Sequence, residues 1–161
     1  MRNFKLVISY DGTDFFGWQR QKEFRSVQQV MEEVVAKLNG GVRVVCHASG
    51  RTDAGVHAVG QVVHFHSKIK LTACKLLRAL NGLLPQDVAV RSVEEVPLEF
   101  DASRSARCKL YRYVINDNQI SDVFLRRYSW HFPYGRLSDE AMRTAAVCLH
   151  GKHDFRCFET E

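Results

Sequence analysis

Apolar residues in this chain first alternate and then recur at helical spacing, and that change of period outlines the expected fold. Phe4, Leu6, Ile8 and Tyr10 share one side of a strand, with Lys5 and Ser9 on the other, the period of two shown by half-buried strands. Asp11-Gly12 ends it. Ser26 then opens a helix, with Gln29 three residues on as a capping-box partner. Val27, Val30, Met31, Val34, Val35 and Leu38 fall on one helical face, and Gly40-Gly41 stops the helix. Val42, Val44 and Cys46 predict a second strand leading into Gly50. Gln61 to His66 is a third, with Val63 and Phe65 on one face. Thr72 caps a second helix through Leu76, Leu77 and Leu80, ending near Pro85. Val88 to Val96 is a fourth strand.

The order is β-α-β-β-α-β, so the expected class is α+β. Two helices cover one face of an antiparallel sheet, the ferredoxin-like plan, and the other face is left free, as in RNA-recognition domains. This domain is assigned to residues 1–105. Residues 106–161 start a second, incomplete α+β domain. Its strand runs from Cys108 to Asn116, with Tyr111 and Tyr113 on the same face. Ser138 caps its helix, with Asp139 and Glu140 in the first turn, where negative charge suits the helix dipole. Met142, Ala145, Ala146 and Leu149 form an apolar face, and Gly151 ends the helix.

Composition narrows the class. The chain has 161 residues, 45% of them hydrophobic, enough for one domain with a core plus part of another. No apolar run approaches the roughly 20 residues needed to span a bilayer, and Lys5 interrupts any export-signal core. The five cysteines, Cys46, Cys74, Cys108, Cys148 and Cys157, contain no CxxC pair, so neither a disulfide framework nor a zinc site is indicated. A reducing cytoplasmic setting is expected, with no membrane and no metal.

Net charge is +5, and its distribution says more than its size. Arg104, Arg107, Lys109 and Arg112 occur with no acid among them, followed by Arg126, Arg127 and Arg136. Tyr111, Tyr113, Tyr128, Trp130 and Phe132 are interleaved. Cations bind phosphates and aromatic faces stack bases. A solvated basic strand edge is the alternative; the recurrence of both residue types together favours nucleic-acid contact.

The stretch Gly50-Arg51-Thr52-Asp53-Ala54-Gly55-Val56-His57-Ala58 concentrates the candidate chemistry. Asp53 sits between two glycines, with Arg51 two residues before and His57 four after. Arg51 favours a negative charge at Asp53, and an ionised carboxylate can act as nucleophile or base. A plain surface turn uses the same residue types. Neither GxxxxGK[ST] nor GxGxxG is present, so ATP and NAD are not indicated. His64 and His66 read as two solvated imidazoles on one strand face rather than metal ligands, because no Cys, Asp or Glu lies near. Asp11-Gly12-Thr13-Asp14 reads as a turn. In Phe15-Phe16-Gly17-Trp18-Gln19-Arg20-Gln21, aromatics, Arg20 and two amides suit base and phosphate contact, although the aromatics equally suit a core.

Four blocks resemble the TruA family of tRNA pseudouridine synthases. They are Tyr10-Asp11-Gly12-Thr13 with Gly17-Trp18-Gln19-Arg20-Gln21; Gly50-Arg51-Thr52-Asp53-Ala54-Gly55-Val56-His57; Gly60-Gln61-Val62-Val63-His64-Phe65; and Phe100-Asp101-Ala102 through Ser105-Ala106 to Tyr111-Arg112-Tyr113. They occur in family order and span nearly the whole chain. The resemblance implies isomerisation of uridine to pseudouridine in the tRNA anticodon arm, at positions thirty-eight to forty in tRNA numbering. It places the catalytic aspartate on Asp53 and the base-stacking tyrosine on Tyr111. Arg51 matches an arginine that helps to flip the nucleotide, and Arg20 and His57 are further substrate-binding candidates. It implies no cofactor or metal, and a homodimer that binds tRNA. The family's C-terminal part, with a basic residue that pairs with the aspartate, has no counterpart before Glu161. The site is therefore expected to be incomplete, with weak or no activity in this chain and exposed apolar surface. The alternative function is a truncated, non-catalytic RNA-binding module.

Overall fold

The computed structural model describes residues 1–158. The chain forms two compact units, Met1–Lys109 and Leu110–Glu161. In the first, elements follow in the order β1 (Arg2–Tyr10), α1 (Val27–Leu38), β2 (His47–Ala48), β3 (Ala58–Ser67), α2 (Ala73–Leu83) and β4 (Val88–Val96). The sheet order is β2-β3-β1-β4, antiparallel at each pairing.

The alternation in β1 decides which side of the sheet is dry. Phe4, Leu6, Ile8 and Tyr10 are buried with Val63 and Phe65 of β3 and Val88 and Val90 of β4. Val27, Met31, Val34 and Val35 of α1 and Leu76 and Leu80 of α2 complete this core. Register pairs Phe4 with Phe65 and Leu6 with Val63, so large side chains meet directly across the strands. Both helices start at the expected caps. Ser26 Oγ accepts the Gln29 N–H at 3.4 Å, and Thr72 Oγ1 accepts that of Lys75 at 3.4 Å. The capping box is only half formed: the Gln29 side chain is turned toward Glu33, to which its Nε2 donates at 2.9 Å.

Three expectations are corrected in this unit. The second strand is not residues 42–46 but the two residues His47–Ala48. The backbone of Cys46 is satisfied by α1 side chains, its N–H donating to Glu32 Oε1 at 3.3 Å and its carbonyl accepting from Gln28 Nε2 at 3.1 Å. Those groups are therefore spent before a ladder can form. The second sheet face is not free throughout. Asn3, buried on it, donates to the carbonyls of Pro97 at 3.0 Å and Phe100 at 2.9 Å, which draws the segment after β4 across this end of the sheet. His64 is not solvated. It is buried, accepts the Ala102 N–H at Nδ1 at 3.0 Å, and meets the Phe100 ring edge-on. Asp101 turns the same segment by accepting the Ser103 and Arg104 N–H groups. Those bonds, Arg104's foremost, hold its carboxyl below the usual carboxylate range.

The second unit contains β5 (Ile115–Asn116), β6 (Trp130–His131), α3 (Asp139–Val147) and a 3-10 turn at Arg156–Phe158. β5 and β6 pair in parallel. The long strand expected from Cys108 shrinks to β5, since the described residues supply no partner strand along 108–114. Ser138 caps α3 as expected, accepting the Ala141 N–H at 3.2 Å, but the helix ends at Val147, before Gly151. No α3 residue is buried, so its expected apolar face stays exposed. The last three residues of the expected second domain, 159–161, lie outside the described part. Among the described residues, no helix is long and apolar enough to cross a membrane.

Candidate active site

The loop carrying Asp53 joins β2 to β3 and is tied down on two sides. On the sheet side, Ser49 N–H donates to the Val62 carbonyl at 2.8 Å, and Gln61 Nε2 donates to the Gly50 carbonyl. The β1–α1 connection holds the other side. Trp18 N–H donates to the Thr52 carbonyl at 2.9 Å, and Gly55 N–H to the Phe15 carbonyl at 3.1 Å. The Tyr10 hydroxyl lies 2.8 Å from Thr52 Oγ1, which anchors the loop to the end of β1. The loop also closes on itself, Val56 N–H donating to the Asp53 carbonyl at 3.2 Å.

Two glycines permit this approach. A Cβ on Gly12 would stand 2.1 Å from the Val56 carbonyl oxygen, and one on Gly17 would stand 2.3 Å from that of Thr52. Gly17 also has a φ of +82°, a backbone region that side chains disfavour. The two glycines are thus the points where one connection passes against the other, which gives the spacing of the Tyr10–Gln21 block a steric reason.

The predicted residues separate into distinct environments. Asp53 and Arg51 are exposed, and among the described residues neither side chain has a hydrogen-bond or ion-pair partner. The backbone of this segment is held on both sides, and the Asp53 carboxylate is left open to solvent. His57 is half-buried and occupied. Its Nδ1 lies 3.0 Å from Gly12 N–H and 3.1 Å from Asp11 Oδ1, so it accepts from the first when neutral and donates to the second when protonated. It joins the end of the loop to the turn after β1. That turn is as expected, Asp11 Oδ1 accepting the Thr13 N–H at 3.0 Å. Phe15 and Trp18 belong to the core, whereas Phe16 is exposed and stacks on Phe24.

Arg20 lies two residues beyond Trp18 and donates to Glu32 Oε2 at 3.2 Å. Tyr111 belongs to the second unit and is 69% exposed. Asp53, Arg51 and His57 thus share one loop, and Arg20 lies on the connection whose Trp18 and Phe15 backbone groups bond to it. Sequence reading missed Glu32 and Gln28, both buried in α1. Their four-residue spacing beside the Val27/Met31 stripe was the available signal, since it puts two polar groups at the edge of the dry face. Among the described residues, no group of three or more His, Cys, Asp or Glu side chains is placed to hold a metal ion.

Comparison with known proteins shows what the chain is similar to. The model of a family described as tRNA pseudouridine synthase matches residues 6–103. The tRNA pseudouridine synthase A of Geobacillus sp. (strain WCH70) is 45% identical over 157 residues, 98% of this chain and 63% of that protein. That of Listeria welshimeri is 42% identical over 158 residues, covering 98% and 63%. That of Geobacillus kaustophilus is 47% identical over 155 residues, covering 96% and 59%. The chain spans about three-fifths of the length of these relatives. The match runs through β1, the connection that pins the loop and the loop itself, and on that ground the chain belongs to the tRNA pseudouridine synthase family.

Proposed function

We propose that the protein isomerises uridine to pseudouridine in the anticodon arm of tRNA, with Asp53 as its catalytic residue. The observation that carries this reading is an exposed, unpartnered Asp53 carboxylate on a backbone fixed by Tyr10, Phe15, Trp18 and Gln61. In the reaction the N1–C1′ bond breaks and a C5–C1′ bond forms. C5 releases its proton to solvent and N1 gains one, so the product is an isomer of the substrate. The target uridine is stacked in the arm and must be everted first. Arg51, beside Asp53, takes the space it vacates and meets phosphate. Tyr111 stacks the detached uracil, an interaction worth about 1–3 kcal/mol per base. Asp53 acts on the ribose. The sheet and its two helices are read as a ferredoxin-like catalytic domain, and the working form as a cytoplasmic homodimer that needs no cofactor.

Loss of the C5 proton supplies the test. The protein as its gene encodes it is incubated with tRNA carrying tritium at uridine C5, and release to water is followed beside tRNA binding. Asp53→Asn keeps the shape of the side chain and removes its charge. Release falls by about 10²–10⁴-fold or more while binding changes little. A protein that binds tRNA and releases no tritium before mutation is a binding module, and the proposal fails.

A further inference from the structure

We infer that Arg20 and Arg43, set around the buried carboxylate of Glu32, form a phosphate-binding site for the RNA backbone beside the Asp53 loop. The Glu32 side chain is wholly buried, whereas those of Arg20 and Arg43 are 33% and 60% exposed. Glu32 Oε1 accepts from Gln28 Nε2 at 3.0 Å and from Cys46 N–H at 3.3 Å. Oε2 accepts from Arg20 Nη1 at 3.2 Å and from Arg43 Nε at 3.1 Å, and Arg43 Nη2 stands 3.0 Å from it in an ion pair.

A buried carboxylate needs a compensating cation. This one has two, so the cluster presents one positive charge more than the fold requires, and it does so at the surface. Both guanidinium groups bond to the same oxygen atom, which holds them close together. Each guanidinium has five N–H donors, and the hydrogen bonds to Glu32 use one from each arginine. The donors that remain on each guanidinium are of the kind that binds a phosphate in a fork.

The position fits a phosphate next to the reacting nucleotide. Gln28 Oε1 accepts the Arg20 N–H at 2.9 Å and the Gln19 amide at 3.0 Å, so α1 fixes the backbone of Arg20 as well as its head. Arg20 is two residues from Trp18, about 7 Å along an extended chain, and Trp18 N–H is the group that holds the Thr52 carbonyl. The inference rests on the reading of the Asp53 loop as an RNA-modifying site, but is measured independently of catalysis.

The test is the salt dependence of tRNA binding. In Arg43→Gln, Arg20 still compensates Glu32, so the thermal midpoint holds. The slope of log Kd against log[KCl] drops by about 0.7–0.9, the loss of one phosphate contact. KM for tRNA rises several-fold and kcat is unchanged. Arg43→Lys keeps the slope. Arg78→Gln, an exposed cation on α2, leaves it alone. An unchanged slope in Arg43→Gln overturns the inference. So does an equal drop in Arg78→Gln, and so does failure of Arg43→Gln to fold, which makes Arg43 a structural counter-ion. Inorganic phosphate and uridine monophosphate serve as competitors. If they engage Arg43 while the tRNA slope stays constant, the site takes free phosphate and the RNA assignment falls. An Arg43-dependent slope without tritium release leaves this site standing and sinks the catalytic proposal alone.

Discussion

Gly17 lies far from Asp53 in sequence, yet Gly17→Ala should disable the loop. A Cβ there would stand 2.3 Å from the Thr52 carbonyl oxygen and 3.0 Å from the Asp53 carbonyl carbon, where ordinary contact begins at 3.4 Å. Both obstacles are backbone, so no side chain can swing aside. Either the Asp53 segment or the β1–α1 connection must retreat by about 1 Å, and misplacement of that size costs on the order of 10²-fold in rate. Stability suffers too. Alanine at φ +82° costs about 1–2 kcal/mol, and losing the neighbouring Trp18–Thr52 bond costs about 1 kcal/mol. The thermal midpoint should fall by roughly 10 °C. Gly82→Ala is the control, the same chemical change in the last turn of α2, with nothing within 4 Å of the new Cβ; it should be neutral or slightly stabilising. Tritium release is measured well below the midpoint, with tRNA binding alongside. Release within threefold of the unmodified protein, at an unchanged midpoint, refutes the steric reasoning.

Two further outcomes follow, one at this loop and one under the sheet's covering segment. Tyr10→Phe removes the hydroxyl 2.8 Å from Thr52 Oγ1 without changing the packing of the ring. It should cost about 1 kcal/mol, read as a lowered midpoint in thermal unfolding, and should reduce release more than tRNA binding; equal effects on both would mean that the bond does not position the loop. His64 gives a pH dependence. Burial, then His47, and also His66 hold its ring below the usual histidine range, against an opposing pull from Asp101. The unfolded chain therefore takes up the proton first, at about 6.5. Stability from this residue is complete above that pH and is lost as pH falls below it toward the folded value. The midpoint of the unmodified protein should drop between pH 7 and pH 5 by more than that of His64→Asn, whose amide oxygen can still accept the Ala102 N–H. Parallel curves would refute the assignment.

The period of the apolar residues was enough to set β1, α1, β3, α2 and β4, because β1 and α1 each bury one complete stripe, and capping by Ser26, Thr72 and Ser138 depends only on neighbours three residues away. The turn at Asp11 was legible for the same local reason, whereas the Gly50–Ala58 block, read alone, suited a plain turn as well as a reactive loop. The second strand was misread because Val42, Val44 and Cys46 alternate correctly, yet Gln28 and Glu32 of α1 take the backbone groups of Cys46. The strand expected from Cys108 failed for want of a partner, and a strand is a property of two segments. His64 looked solvated because the covering piece, Pro97 to Ala102, arrives from beyond β4. Why Gly12 and Gly17 are glycine, and which buried acid Arg20 answers, could not be read along the chain. Local spacing determined which residues form elements and which loop holds the carboxylate. Tertiary structure alone decided what pins that loop, because hydrogen bonds, steric contact and charge compensation act between atoms close in space, however far apart they lie in sequence.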